Sequence, residues 1–353
     1  MVKINPVLEK LTRVFPEGGR GDFWRLDMNE NPEGLPVDFV AEVRAKITPA
    51  FLATYPEPDR LLAALAAYHH LPEDRFSLTD GSEMAIKHVF EVFALPGTQV
   101  VTVTPSFAMY EVYCEMFGVI HQGVPLGEDL AFPTEAFLGA IGQDTSLVVL
   151  LSPNNPAGGL LPRDEVERII RKAAEHDAVV VIDEAYHYFC EVSYLDLAER
   201  YDNVVVLRTF SKLFSLAGLR LGYAVSRPEI VTYLNRMRPT FEANSVALLF
   251  GEALLRRLDI IEALIQTEKE GRLYLMEALT RAGYEPRHDH GGNFVLVKPK
   301  KCPREVEAAL KERKILVKTY GDKHLLQDYI RISTGSRRVM EKFVAAFLDI
   351  DQR

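Results

Sequence analysis

A single lysine, Lys212, comes directly after the apolar run VVVLR and the turn residues TFS, and Arg220 follows eight residues later. Lysine is rarely buried, because removing its ammonium group from water is costly. A lysine amine whose pKa is lowered by desolvation and by nearby cations can form a Schiff base with an aldehyde. Lys212 is therefore either an ordinary surface lysine or a reactive amine in a prepared environment.

Polar and aromatic residues follow several predicted strands directly, and others begin the helices after them. In a parallel sheet the ligand site lies at the carboxyl ends of the strands, so we expect these side chains to lie close together. Taken singly, each has an ordinary explanation as a helix cap, a turn residue or a packing aromatic. The set consists of Gly81, Ser82, Tyr110, Asn155, Asp183, Tyr186, Thr209, Ser211, Lys212 and Arg220.

These residue types together suit one kind of ligand. A carboxylate such as Asp183 can keep a ring nitrogen protonated, which makes the ring an electron sink. Asn155 and Tyr186 can hydrogen-bond a ring hydroxyl group, and Tyr110 can stack on the ring. Helix-start N–H groups and an arginine bind a phosphate. An aldehyde, a pyridine nitrogen, a phenolic oxygen and a phosphate together describe pyridoxal 5′-phosphate (PLP).

The elements that must position these residues alternate along the chain. Helical patterns cover 61–70, 82–94, 107–118 and 163–176, and a longer charged helix covers 247–283. Apolar, β-branched runs at 99–105, 146–153, 178–185, 203–210 and 220–226 are typical of doubly covered parallel strands. The pattern predicts an α/β fold with a mostly parallel sheet and a smaller α+β domain. We expect an N-terminal arm at 1–30, a large domain at 31–245 and a small domain at 246–353.

Composition narrows the class of protein further. The net charge of −9 and the pI of about 5.6 argue against a nucleic-acid partner. The three cysteines have no metal-ligand spacing, so we expect free, buried thiols and no metal site. The N-terminal segment lacks the features of a signal peptide, and no stretch is long and apolar enough to span a membrane. The sequence therefore predicts a cytoplasmic protein with no membrane partner.

Longer motifs in the chain resemble a known family, the fold-type I PLP enzymes, and within it the histidinol-phosphate aminotransferase-like branch of the class I/II aminotransferases. The similarity covers nearly the whole chain, and motifs of this length in this order are very specific. The motifs are LDMNENPEGLP (26–36), YPEPD (55–59), DGSE (80–83), TPSFAMY (104–110), SPNNPAG (152–158), DEAY (183–186), TFSKLFSLAGLRLGY (209–223), GGNFVLV (291–297) and YIRISTGS (329–336).

The resemblance implies a role for each matching residue. It implies a large domain with a seven-stranded sheet, Lys212 as the Schiff-base lysine and Asp183 as the partner of the pyridine nitrogen. Asn155 and Tyr186 would bind the ring hydroxyl, and Tyr110 would stack on the ring. The phosphate would be bound by Gly81, Ser82, Glu83, Thr209, Ser211 and Arg220, with Tyr55 reaching across a homodimer interface from the partner.

The substrate is less well defined by the resemblance. Arg331 matches the arginine that binds the substrate's α-carboxylate or the corresponding end of the substrate, and Asn29 matches a residue at the mouth of the active site. The segment PEGGRGDFWRL lacks the family's usual Pro-Tyr pattern, so Arg20, Phe23 or Trp24 could take over substrate binding.

The resemblance also implies an activity in amino-acid biosynthesis. The expected reaction is ping-pong transamination between an amino acid, with glutamate as the expected donor, and a keto acid or aldehyde. The pair L-histidinol phosphate and imidazole acetol phosphate is one candidate. The alternative is a PLP-dependent decarboxylase of a phospho-amino acid, similar to threonine-phosphate decarboxylase, because that enzyme shares the same cofactor residues.

Overall fold

The computed structural model describes residues 18–288 and 291–352, together with 2–4, 6, 7 and 11. Its largest element is a seven-stranded sheet with the strand order β2-β8-β7-β6-β5-β3-β4. The strands are β2 (Phe76–Thr79), β3 (Gln99–Thr104), β4 (Ile120–Pro125), β5 (Thr145–Leu151), β6 (Val179–Asp183), β7 (Val204–Thr209) and β8 (Gly222–Val225).

The sheet is mostly parallel, as predicted. Only β8 runs antiparallel to its neighbours β7 and β2. Every residue of β6 and β7 is buried, so both faces of the central sheet are covered. β2 and β4 were not predicted as strands, because one has four residues and the other has the mixed sequence IHQGVP.

Helices connect the strands and cover the sheet. The predicted helices at 61–70, 82–94, 107–118 and 163–176 are confirmed within about two residues at each end. The helices of the described chain are α1 (Val37–Arg44), α2 (Pro49–Ala53), α3 (Asp59–His69), α4 (Ser82–Phe93), α5 (Met109–Phe117), α6 (Thr134–Ala140), α7 (Arg163–Ala174), α8 (Leu197–Arg200), α9 (Pro228–Met237), α10 (Ser245–Leu255), α11 (Leu258–Arg281), α12 (Pro303–Glu312) and α13 (Arg337–Asp351).

The single long helix predicted at 247–283 was wrong, because the chain forms two helices there, α10 and α11. The backbone leaves the helical conformation at Arg257, with φ −118° and ψ 68°. The guanidinium of Arg257 then donates to the carboxylate of Asp259 in the first turn of α11. No proline or glycine lies at this break, so the helical pattern of the sequence continues across it although the structure does not.

A second hydrophobic core lies under the C-terminal elements. Antiparallel strands β9 (Phe294–Val297), β12 (Ile330–Ser333) and β11 (Lys318–Thr319) form one sheet, and β1 (Trp24–Arg25) pairs with β10 (Ile315–Leu316). Leu26 belongs to this second core, whereas the buried residues of α10 belong to the larger one. The domain division at residue 245 stays a prediction, and this packing favours a boundary further along the chain.

Three further features bear on the predicted class of protein. None of the helices that the structure describes is long and apolar enough to cross a membrane. The expectation of buried thiols holds for Cys114, but Cys190 is half-buried and Cys302 is exposed. Within the described ranges, no group of three or more His, Cys, Asp or Glu side chains could hold a metal ion.

Gly271 in α11 provides a test of how the two cores meet. An added Cβ at this position would lie 1.9 Å from the carbonyl oxygen of Gly335, just before α13. Alanine normally stabilises a helix relative to glycine by up to about 1 kcal/mol. We expect Gly271→Ala to destabilise the protein instead, by about 1–3 kcal/mol through overpacking, in chemical denaturation.

Gly139 in α6 is the matched control, because nothing lies within 4 Å of an added Cβ there. Gly139→Ala should leave the free energy of unfolding unchanged or raise it slightly. An equal effect of the two substitutions would contradict the close approach of α11 to Gly335.

Candidate active site

The carboxyl ends of β6 and β7 bring Lys212 and Asp183 into one site. The amine of Lys212 donates to the backbone carbonyl of Met28 at 2.9 Å and lies 5.7 Å from the ring centroid of Tyr186. Burial, assisted by the positive charges of Arg331 and Arg220, lowers the pKa of the Lys212 amine to about 8. A substantial part of this amine is therefore neutral near physiological pH, as a nucleophile or base must be.

Asp183 is the last residue of β6 and is 3% exposed. One carboxylate oxygen accepts a hydrogen bond from the Tyr110 hydroxyl at 2.9 Å, and the other accepts from the Ala185 backbone N–H at 3.0 Å. Burial raises the pKa of Asp183 to about 6, although both hydrogen bonds oppose this rise. A cationic N–H group placed beside this carboxylate would be stabilised, because it would compensate a desolvated charge.

Tyr186 lies at the centre of a buried polar network. Its hydroxyl oxygen accepts from the side-chain amides of Asn29 at 3.0 Å and Asn155 at 2.9 Å. Arg331 donates to the Asn155 side-chain oxygen and to the backbone carbonyl of Asp27. The network joins Asn29 in the N-terminal segment, the residues that follow β5 and β6, and Arg331 in β12. These contacts fix the position of Arg331 relative to the rest of the site.

A glycine-containing turn and Arg220 form the second part of the site. Gly81 precedes α4 with φ +81°, and an added Cβ would lie 2.4 Å from a terminal nitrogen of Arg220. Arg220 donates to the Ser211 hydroxyl at 3.2 Å, and the Thr209 hydroxyl accepts from the Ser211 backbone N–H at 3.0 Å. Ser82 begins α4, so a guanidinium and a helix N-terminus meet here, as an anion site requires.

The residues at this edge fit PLP. The absence of a Cβ at Gly81 lets Arg220 approach the turn that would bind the phosphate. Asp183 offers a desolvated carboxylate for a ring nitrogen, and Lys212 offers an amine with a lowered pKa for an aldehyde. The hydroxyl of Tyr110 contacts Asp183, so a ring nitrogen and this hydroxyl would share the carboxylate. A carboxylate has lone pairs enough for both donors.

Tyr55 and Glu83, two further predicted cofactor residues, have other described contacts. Tyr55 is 73% exposed, and its ring stacks on Phe241 with the centroids 4.4 Å apart. Glu83 lies in the first turn of α4, where its backbone carbonyl accepts from Tyr113. The cofactor roles of Tyr55 and Glu83 stay predictions.

Among the predicted substrate residues, Asn29 lies within the Tyr186 network, whereas Arg20 and Phe23 have other contacts. Asn29 is buried inside the Tyr186 network, with its own backbone in the left-handed region at φ +56°. The guanidinium of Arg20 instead forms ion pairs with Asp27 and Glu30, at 2.7 and 2.9 Å. Phe23 lies under the amine of Lys314, 4.6 Å from its ring centroid. The substrate roles of Arg20 and Phe23 stay predictions.

Sequence reasoning missed several residues at the site. The Ser333 hydroxyl pairs with the backbone N–H and the side chain of Asn29, and the side-chain amide of Asn293 donates to the Asn29 carbonyl. Tyr320 lies against Arg331, with 6.0 Å between the guanidinium carbon and the ring centroid. The first two stand inside motifs already quoted, GGNFVLV and YIRISTGS. Tyr320 lies in the turn after β11, where the local sequence gives no signal.

The fold and these side chains define a PLP-binding enzyme of fold type I. Residues 23–347 match the family model for aminotransferases of class I and II. The chain belongs to the class I and II aminotransferase family, and the predicted PLP-dependent aminotransferase with its PLP cofactor is confirmed.

Individual relatives support this family. The chain is 35% identical to histidinol-phosphate aminotransferase 2 of Burkholderia pseudomallei over 337 residues, which is 94% of each chain. It is 36% identical to the histidinol-phosphate aminotransferase of Chromobacterium violaceum, over 89% of this chain and 88% of the relative. Among solved structures, the histidinol-phosphate aminotransferase of Sinorhizobium meliloti with pyridoxal-5′-phosphate has a TM-score of 0.87 at 24% identity, covering 100% and 98% of the chains. It shares the fold.

The lowered pKa of Lys212 can be measured directly in the cofactor-free protein. Only the neutral amine reacts with an acylating reagent, so labelling of Lys212 should rise with pH around a midpoint near 8. Peptide mass spectrometry after brief labelling at each pH gives this midpoint. Exposed lysines in the same digest provide the internal control for the reactivity of the reagent at each pH.

The variant Arg331→Gln extends this experiment. It removes a positive charge that lowers the pKa of Lys212, so the midpoint should move upward. A wild-type midpoint near 10 would mean that the site does not prepare the amine.

Proposed function

We propose that the chain transfers an amino group from glutamate to imidazole acetol phosphate, which gives L-histidinol phosphate. We propose that this reaction takes place in the cytoplasm. The convergence of Lys212, Asp183 and Arg331 on one buried site is the observation that carries this proposal. The substrate is suggested by the names of the relatives, which are about 35% identical over most of the chain. Glutamate is proposed as the donor because both ends of it are anionic and Arg331 is a buried cation.

Each residue around the cofactor has a distinct proposed task. When bound, PLP supplies an aldehyde that takes up amino groups and a ring that withdraws electrons from the substrate α-carbon. Arg220, the Gly81–Ser82 turn, Thr209 and Ser211 hold the phosphate. Asp183 keeps the ring nitrogen protonated. The side chains of Asn155 and Tyr186 orient the ring hydroxyl.

Lys212 is the proposed general base. Its neutral amine would remove the proton from the substrate α-carbon and deliver it to the carbon of the cofactor's aldehyde group. The lowered pKa of this amine favours the task, because the amine is available without a strongly alkaline pH. Arg331 would hold the anionic end of the substrate, which fixes the α-carbon within reach of Lys212.

The half-reaction tests the proposed substrate pair. The purified protein with PLP should show the visible absorbance of the bound cofactor, and L-histidinol phosphate or L-glutamate should bleach it. Addition of 2-oxoglutarate should restore the absorbance after either donor. Lys212→Ala should slow the bleaching by at least about 100-fold, because the general base is lost.

The same measurement separates the alternatives. Bleaching by glutamate without bleaching by histidinol phosphate would keep the aminotransferase and exclude the proposed acceptor. Release of carbon dioxide from a phospho-amino acid, with neither donor active, would favour the decarboxylase. If the wild-type protein with PLP showed no absorbance of the bound cofactor before any donor is added, the assignment of Lys212 would be contradicted.

We also propose that the active site is completed in a homodimer, with Tyr55 contacting the partner's cofactor phosphate. The stacked pair Tyr55 and Phe241 supports this, because both rings are half or more exposed. Leu52 and Met237 are also exposed, so this side of the molecule carries apolar groups that a second copy would cover.

Mixing two inactive variants tests this arrangement. In a dimer of Tyr55→Ala and Lys212→Ala chains, one of the two sites has both an intact lysine and an intact tyrosine. An equal mixture, unfolded and refolded together, should recover about one quarter of the wild-type activity, since half of the dimers are mixed. Activity no higher than the sum of the separate variants would exclude action of Tyr55 across the interface.

A further inference from the structure

A buried histidine in α4 lies between two carboxylates outside the cluster around Lys212. His88 is 3% exposed. Its Nδ1 lies 2.8 Å from a carboxylate oxygen of Glu91, and its Nε2 lies 2.8 Å from a carboxylate oxygen of Glu242. An ionised carboxylate can only accept hydrogen bonds, so both ring nitrogens must donate. The geometry therefore makes His88 a buried imidazolium.

The charged groups around His88 favour its positive charge. Burial lowers the pKa of His88, but the hydrogen bonds and charges of Glu242 and Glu91 outweigh burial and raise the pKa. Glu91 also pairs with Lys87 on the same helix, and its side chain is 17% exposed. The side chain of Glu242, in the loop before α10, is 4% exposed. His88 thus compensates the more deeply buried of its two carboxylates.

The second oxygen of Glu242 contacts the turn that begins α4. It accepts from the backbone N–H of Asp80 at 2.8 Å, and Asp80 directly precedes Gly81. Within this turn the Thr79 hydroxyl donates to the Gly81 carbonyl at 3.0 Å. The position of the turn therefore depends on Glu242, and the position of Glu242 depends on His88.

The charge of Glu242 also has to be balanced beside an anion site. A bare carboxylate here would oppose the phosphate that Arg220 and the turn are proposed to hold. The turn already experiences this charge: burial raises the pKa of Asp80, Arg220 opposes the rise and Glu242 adds to it. The imidazolium of His88 supplies the compensating positive charge at the other oxygen of the same carboxylate.

We propose that His88 is a positioning residue for the cofactor phosphate. As an imidazolium it holds Glu242 against the Asp80 N–H, which fixes the Gly81–Ser82 turn, and it neutralises the carboxylate beside that turn. This inference rests on the proposed function, in which the turn and Arg220 hold the phosphate.

A comparison of two ligands tests the inference without turnover. Pyridoxal has the ring and the aldehyde of PLP but no phosphate, and absorbance titration of the cofactor-free protein gives the Kd of each. We expect His88→Gln to raise the Kd for PLP by about tenfold, as for the loss of one hydrogen bond to a charged group. The Kd for pyridoxal should stay close to the wild-type value, because pyridoxal does not use the turn.

Glu91→Gln is the matched control. It removes the carboxylate on the other side of the same imidazole and leaves the hydrogen bond between Glu242 and Asp80 in place. Both Kd values should remain close to those of the wild type. A selective loss of PLP affinity in His88→Gln but not in Glu91→Gln, with similar melting temperatures, supports the inference.

Arg220→Gln separates this inference from the proposed function, because Arg220 would contact the phosphate itself. If Arg220→Gln weakens PLP binding selectively and His88→Gln does not, the role of His88 is overturned and the phosphate site stands. If Arg220→Gln leaves PLP binding unchanged, the proposed phosphate site fails and the inference fails with it. An equal rise in the Kd values for PLP and pyridoxal in His88→Gln would overturn the inference, because a general loss of stability affects both ligands alike.

A measurement on the wild-type protein does not require a variant that folds. Nitrogen-15 NMR of the histidine rings gives the pH at which His88 loses its charge, and this pH should lie above the ordinary value of about 6.5. In the cofactor-free protein the Asp80 amide should be protected from hydrogen exchange below this pH and should lose protection above it, after correction for the intrinsic rate. A His88 that is mostly neutral at about pH 6.5, or protection of Asp80 that does not follow the charge of His88, would overturn the inference.

Discussion

A buried ion pair behind the active site constrains the position of its central residues. Arg208 in β7 and Glu184 after β6 are 5% and 2% exposed, and their side chains meet at 2.7 Å. Each is the chain neighbour of a site residue, because Asp183 precedes Glu184 and Thr209 follows Arg208. Successive side chains of a strand point to opposite faces. The ion pair therefore fastens the two strand ends from one side and leaves Asp183 and Thr209 directed to the other.

This ion pair is supported by further polar contacts. Glu184 also accepts from the Tyr194 backbone N–H and the Ser193 hydroxyl. Burial and the charge of Arg208 lower the pKa of His69 to about 3, so His69 adds no positive charge beside Arg208. Removing one partner of such a pair typically costs about 3–5 kcal/mol, because the other charge stays buried. The precision of the site thus depends on residues that contact neither cofactor nor substrate.

The sequence predicts a strand or helix well where a single local pattern determines it. β5, β6 and β7 are continuous apolar runs, and the residues that follow them meet at one edge because parallel strands end together. The break between α10 and α11 was not predictable, since ordinary helix-forming residues surround Arg257. Arg20 and Phe23 were expected near a substrate because of their place along the chain. Arg20 forms ion pairs with Asp27 and Glu30, and Phe23 contacts Lys314, so their substrate roles stay predictions.

The electrostatics of the site favour a cofactor that carries both a cationic ring nitrogen and an anionic phosphate. Burial moves the pKa values of Lys212 and Asp183 toward each other, to about 8 and about 6, so both groups carry a desolvation penalty when charged. A cationic ring nitrogen would compensate the buried charge of Asp183, and an anionic phosphate would pair with the half-buried guanidinium of Arg220. Because these two interactions would occur at opposite ends of the ligand, they would orient it and direct its aldehyde to Lys212. Charges that burial penalises in the free protein thus become the interactions that select and orient PLP.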